Sequence, residues 1–286
     1  MSTRFAVRAE SPAQRDLFAR LVDDAAVFPP GLAPLDRAVA EHIARRDHPH
    51  ADLVGPLLVP AAAADDLVAL ARPAPLRVGL IGRPGTPLAA MADALDTLRP
   101  APDLEVTGCE IGWSPHWEQA LGWDLPLSVE VPRAQLDQAR ALTELRQAQD
   151  ESVTLQAKFR TGSTPQQAVP TATELAAFIR ACADLGLGFK LTGGLHHVLA
   201  HTTSDGEQQH GLLGVLAATH WAQHGHETDE LASLVSCREP EPLLDIVTRL
   251  SDDQVGRVRA SFTSYGCCGV LDPVGELAEL GLITPG

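Results

Sequence analysis

The sequence predicts an α/β fold of the (β/α)8 TIM-barrel type. Three observations carry that expectation. Eight short strand-like runs alternate with helical patterns almost from end to end of the 286 residues. Most of these runs are continuously apolar rather than alternating, as suits strands covered on both faces of a parallel sheet. The length is ordinary for eight strand–helix units, and no linker, repeat or low-complexity segment splits the chain. A doubly wound open parallel sheet uses the same alternation and is the competing architecture. One domain is expected over residues 1–286, with a helical insertion around 195–257.

The elements follow in order. LVDDAAVF (21–28) reads as the first strand, and FPPG behind it as a turn. DLVGPLLVP (52–60), LRVGLIG (76–82), LEVTGCEIG (104–112) and LPLSVEVP (125–132) read as the next four. A helix is expected over 133–147, where Leu136, Leu142 and Leu145 recur and Pro132 suits the start. VTLQAKF (153–159) is the sixth strand. The helix over 171–184 opens with a capping-box pattern, Thr171 and Glu174, and carries Leu175, Phe178, Ile179 and Cys182 on one face. LGFKLTG (187–193) and VRASFTSYG (258–266) complete the set, and the stretch between them has room for two or three helices.

Composition narrows the function. The chain carries 22 basic and 37 acidic residues, a formal charge of −15, which argues against nucleic acid or an anionic membrane as a bulk partner. No run of 18 apolar residues and no basic-led apolar leader is present, and the five cysteines show no zinc spacing. A cytoplasmic setting is expected. GRPG (82–85) is too short for a P-loop.

Lysine usage is the sharpest signal. Lys158 and Lys190 are the only two lysines, and the other twenty basic side chains are arginine. Both fall at strand ends, where a (β/α)8 barrel does its chemistry. Glu110, Glu130, Arg160, His196, His197 and one of Asp23 or Asp24 fall at comparable places. Two lysines could simply satisfy Glu110 and Glu130 as structural ion pairs. Arginine would serve that purpose at least as well, because its fork matches a carboxylate. What lysine alone offers is an amine that can lose its proton and attack a carbonyl.

The segments KFRTG from Lys158, ATE from Ala172 and GFKLTGG from Gly188 resemble the class I, Schiff-base-forming aldolases of the deoxyribose-phosphate aldolase type. Those enzymes carry a Lys-x-x-Thr-Gly strand end, a helix opening near Ala-Thr, and a Gly-Phe-Lys strand followed by Gly-Gly. The match covers residues 155–194 and reaches the rest of the chain only as fold. The resemblance implies a cofactor-free lyase acting on a small carbonyl compound. Apart from the resemblance, His196 beside the lysines is a candidate general acid or base. The resemblance implies that Lys158 forms the imine, that Lys190 lowers the pKa of Lys158, and that Asp24 and Glu110 move protons. It also implies that Gly193 and Gly194 hold an anionic group. Arg160 is the expected grip on such a group, while Thr161, His197, Glu130, Ser264, Tyr265 and Gly266 are expected to line the site. Phe159, Arg160 and the LHH that follows the glycines depart from the family pattern. A homo-oligomer is left open.

Two other classes compete. His197/His201 and His220/His224 have i, i+4 spacing and, with Glu110 or Glu130, could bind a divalent metal for an isomerase or hydrolase. No metal ligand is assigned, because eleven histidines make chance pairs common. The third class is a barrel that binds a metabolite without turnover.

Overall fold

The computed structural model describes residues 12–70, 75–150 and 154–284. In chain order these contain α1 (Pro12–Phe18), β1 (Val22–Asp24), α2 (Leu35–Ala44), β2 (Val54–Pro60), α3 (Ala64–Leu70), β3 (Leu76–Ile81), α4 (Leu88–Leu98), β4 (Leu104–Gly112), β5 (Leu127–Glu130), α5 (Gln135–Ala148), β6 (Leu155–Arg160), α6 (Ala172–Leu185) and β7 (Phe189–Thr192). A short ribbon, β8 (His201–Thr202) and β9 (Gln208–Gln209), then precedes α7 (Leu212–Ala222), α8 (Thr228–Val235), α9 (Pro240–Val247), α10 (Asp252–Ser261), β10 (Phe262–Cys267) and α11 (Leu271–Glu279).

Eight parallel strands close a barrel in the order β1-β10-β7-β6-β5-β4-β3-β2. Val22 pairs with both Val54 and Tyr265, which joins the two ends of the sheet. An open doubly wound sheet is thereby excluded.

β4 spans the segment read from sequence, but both end strands are shorter. β1 keeps three residues. Beyond it, Asp24 accepts the Ala26 N–H, Phe28 N–H bonds Ala25 O, and two prolines at 29 and 30 bring no donor. β10 begins at Phe262, because Ser251 and Gln254 form a capping box and α10 runs through Val255 and Val258, both buried one turn apart. The sequence reading took Val258 for strand. The β7–β10 connection holds four helices and a ribbon, more than the two or three helices expected. In α5 the buried face is Ala141, Leu142 and Leu145, whereas Leu136 is 87% exposed.

The wall behind the two lysines is aromatic. Phe159, Phe178, Phe189 and Phe262 form a file with ring centroids 4.6, 5.5 and 5.3 Å apart, linking β6, α6, β7 and β10. Side chains alternate along a strand, so the outward Phe159 and Phe189 dictate inward Lys158 and Lys190. The capping box at Thr171 and Glu174 is present as expected, and Arg133 Nη2 donates to both carboxylate oxygens of Glu174.

Candidate active site

Register places the polar residues. Glu130 pairs with Lys158, Lys158 with Lys190, and Lys190 with Ser264, so four adjacent strands carry one polar row at the same level. From β1 and β4, Asp23 and Glu110 reach the same row. Lys158 Nζ stands 2.7 Å from Glu110 Oε2 and 3.0 Å from Glu130 Oε2. Lys190 Nζ stands 2.5 Å from both Asp23 Oδ2 and Glu110 Oε1. Ser264 Oγ donates to Asp23 at 2.8 Å, and Arg160 Nε donates to Glu130 Oε1 at 3.0 Å. The row thus pairs three acids with three bases and is neutral when all are ionised.

Burial sets the electrostatics. Burial favours a neutral Glu110, but the two lysines outweigh it and bring the carboxyl down to about 2. Glu130 is likewise lowered against burial, by Lys158 and Arg160. Asp23 goes the other way: burial raises it, and Lys190 and Ser264 offset only part. Burial favours a neutral Lys158, yet Glu110 and Glu130 win and its pKa is raised. Lys190 is raised in the same sense by Asp23 and Glu110. The expected lowering of Lys158 by Lys190 is therefore not what this site does. The charge of Lys190 is absorbed by Asp23 and Glu110, and Lys158 rests as an ammonium.

Asp24 also departs from expectation. On so short a strand it points outward, where it accepts from Ala26 N–H at 3.1 Å and pairs with His42 at 2.9 Å and with Arg45. Asp23 occupies the inward place meant for Asp24. Asp24→Asn is expected to lower stability by about 1–3 kcal/mol while leaving carbonyl capture at Lys158 unchanged. Asp23→Asn is expected to alter capture, and mass spectrometry of borohydride-trapped protein compares the two.

A cavity of about 860 Å³ opens above the row. Glu110, Glu130, Lys158 and Arg160 line it, as do Gly193, Gly266, His196 and His197. Lys190, Asp23 and Ser264 lie behind the lining. Thr161 is buried outside it and donates to Thr192 O at 3.2 Å. Gly194 packs on Thr161, where a Cβ would stand 2.9 Å from its hydroxyl. Tyr265 faces the helices, its ring stacked 6.2 Å from Phe262. Thr161, Gly194 and Tyr265 therefore support the wall rather than line the site.

Gly162 and Gly193 make the tightest contact. A Cβ on Gly162 would stand 1.4 Å from Gly193 O, and Gly193 itself has φ +73°. Only glycine permits this approach of the two loops. Gly162→Ala is expected to cost about 3 kcal/mol through forced loop displacement, read from urea unfolding.

The histidines are held by other partners. His196 Nδ1 lies 3.4 Å from Cys267 Sγ, and burial lowers its pKa. His197 Nδ1 bonds Glu276 of α11, which also accepts Val198 N–H at 2.8 Å, and His201 packs edge-on against His197. His220 sits in the last turn of α7 and His224 just beyond its end, the two rings 4.4 Å apart. Because Glu110 and Glu130 are taken by lysines and His197 by Glu276, the metal set considered from sequence is not assembled. Among the described residues no three His, Cys, Asp or Glu side chains group as metal ligands. Nor, among them, is any helix long and apolar enough to cross a membrane.

Sequence reasoning settled on Asp24 over Asp23, and missed Glu276 and the apolar side of the cavity. Asp23 was visible as a neighbour of Asp24. Glu276 carried no local signal, since it lies 79 residues from His197.

Comparison with known proteins bears on the fold. No protein-family model matches the chain, and no curated protein matches it. Among solved structures, a deoxyribose phosphate aldolase from Aeropyrum pernix, described as having a unique tetrameric structure, is similar. The likeness has a TM-score of 0.50 and 13% sequence identity, over 93% of each chain. The resemblance carried by the lysine segments thus extends, as a distant one, to the whole barrel, and what the two chains share is the fold.

Proposed function

We propose that this protein is an aldolase-like lyase whose Lys158 forms a Schiff base with a small anionic carbonyl compound. The observation that supports this best is placement. Of the two lysines, Lys158 lines the cavity and Lys190 lies one layer behind it. A substrate entering from above meets the Lys158 amine.

The chemistry balances. Lys158 loses a proton to solvent by way of Glu130, and the neutral amine attacks the carbonyl carbon. The carbinolamine hydroxyl then takes a proton and leaves as water, giving a protonated imine. Ammonium and protonated imine each carry one positive charge, so Glu110 and Glu130 stabilise both. The raised pKa of Lys158 opposes the transient amine but not the intermediate. Glu110, held in place by Lys190, and Asp23 move protons during carbon–carbon cleavage or formation. Arg160, 27% exposed at the cavity wall, grips the anionic group of the substrate. The tetramer of the Aeropyrum aldolase supports a homo-oligomeric assembly, and five unbridged cysteines support a reducing, cytoplasmic setting.

The test is capture. The protein is incubated with aldehydes, ketones and 2-oxo acids, reduced with borohydride, and digested to locate any adduct. An adduct on Lys158 is expected. Its rate is expected to rise about tenfold per pH unit between pH 7 and 9, because the neutral fraction of an amine with a raised pKa grows in that proportion. A profile already flat at pH 7 would contradict an ammonium resting state.

The complete pairing of the row favours one other reading, a barrel that binds a metabolite without turnover. It predicts no adduct with any carbonyl, and metabolite binding that survives loss of the Lys158 amine.

A further inference from the structure

The two sides of the cavity differ in chemistry. The β6–β7 side offers Arg160, Thr192 and the histidine loop, together with the lysine row. The β1–β3 side offers Ala25, Leu58 and Ile81, which form an apolar cluster separate from the main core, with Phe28 packed against it. Leu58 is set between two glycines. A Cβ on Gly79 would stand 2.7 Å from Leu58 Cδ2, and one on Gly266 would stand 3.2 Å from its Cδ1. β3 beside it and β10, one strand further round beyond β1, thus present no side chain at these positions and let Leu58 lie across the barrel interior. At the rim, the Arg83 guanidinium lies over the Phe28 ring, 5.4 Å from its centroid.

A three-carbon carbonyl at Lys158 would leave most of an 860 Å³ cavity unfilled, the apolar wall included; cavities of that size hold drug-sized ligands. A hydroxylated chain laid on Ala25, Leu58 and Ile81 would lose its bonds to water and find no partner there. A hydrocarbon chain gains from the same contact. We infer that the substrate carries an apolar alkyl or aryl arm that lodges against Ala25, Leu58, Ile81 and Phe28, rather than a polyhydroxylated one. This assignment rests on the Lys158 reading for the position of the carbonyl, and it sets the specificity of that site.

The test separates the two ideas by using ligands that cannot form an imine. 2-Hydroxy acids of increasing alkyl length, from lactate to 2-hydroxyoctanoate, are titrated calorimetrically into the full-length protein beside sugar acids of matched length. Each added methylene is expected to lower Kd about fourfold, and the sugar acid is expected to bind more weakly at every length. Leu58→Asn is expected to flatten the series without affecting lactate. Phe28→Ser, in a partly exposed loop, does the same should the buried Leu58 variant fail to fold. The matching 2-oxo acids are trapped with borohydride in parallel. A Kd independent of chain length, tighter binding of the sugar acids, or no binding of any alkyl acid overturns the apolar arm. An adduct at Lys158 alongside such a result leaves the lyase reading standing. Length-dependent binding with no adduct does the reverse.

Discussion

Lys158→Arg is expected to abolish borohydride-trapped adduct and to lower any carbon–carbon lyase activity by at least about a thousandfold. The arginine keeps a cation between Glu110 and Glu130, the two carboxylates within 3.0 Å of Lys158 Nζ. What it removes is an amine that can become neutral. Stability should fall by only about 1–3 kcal/mol, from fitting a larger group into a site that is 2% exposed. Lys158→Met makes the contrast, because it leaves Glu110 and Glu130 short of a counter-charge. It is expected to cost about 3–5 kcal/mol. Urea unfolding reads both variants and mass spectrometry reads the adduct. Full capture in Lys158→Arg, at another residue, would remove the nucleophile from the proposed mechanism.

Glu110→Gln is expected to lower stability by a comparable amount. Among the described residues Glu110 is the one carboxylate that touches both lysines, so its loss leaves the row with an extra positive charge. The sign follows from its depressed pKa. A carboxyl lowered from 4.5 to about 2 adds stability that is present above its unfolded value and lost as pH falls through about 2. That displacement corresponds to about 3 kcal/mol at neutral pH, as an order of magnitude. Wild type and variant should therefore differ most near pH 7, draw together below about pH 4.5 and converge as pH nears 2. Urea unfolding across pH 2–7 gives the difference directly. A gap that stays constant down to pH 2 would mean that Glu110 is not held ionised by the lysines.

Much of the site was legible because the barrel converts sequence alternation into direction. In LQAKF and GFKL, each lysine follows or precedes an aromatic that must face the helices, so the lysines had to face inward together. The register then brought Lys158 opposite Lys190. The same rule failed at Asp23 and Asp24. β1 is three residues long, and neither neighbour marks which aspartate is inward. Only the lysine across the barrel and the Arg45–His42 pair outside it decide the matter. The pKa of Lys158 failed for a related reason. A neighbouring lysine was visible in sequence, whereas the closer approach of Glu110 and Glu130 depends on side chains converging from three strands. The boundaries of β1 and β10 were misread where turn bonds and a capping box outweighed apolar runs.

The latch from Glu276 to His197 and the Val198 amide has a consequence for biosynthesis. The loop carrying His196 and His197 is fastened by a residue on the last helix, and β1 finds its second neighbour only in β10. While the chain is still being threaded from the ribosome, the barrel has an unpaired edge and its substrate mouth is unfinished. The pocket is complete only once β10 and then α11 have emerged. A nascent chain stalled before residue 276 should therefore lack a completed pocket, even with both lysines already translated.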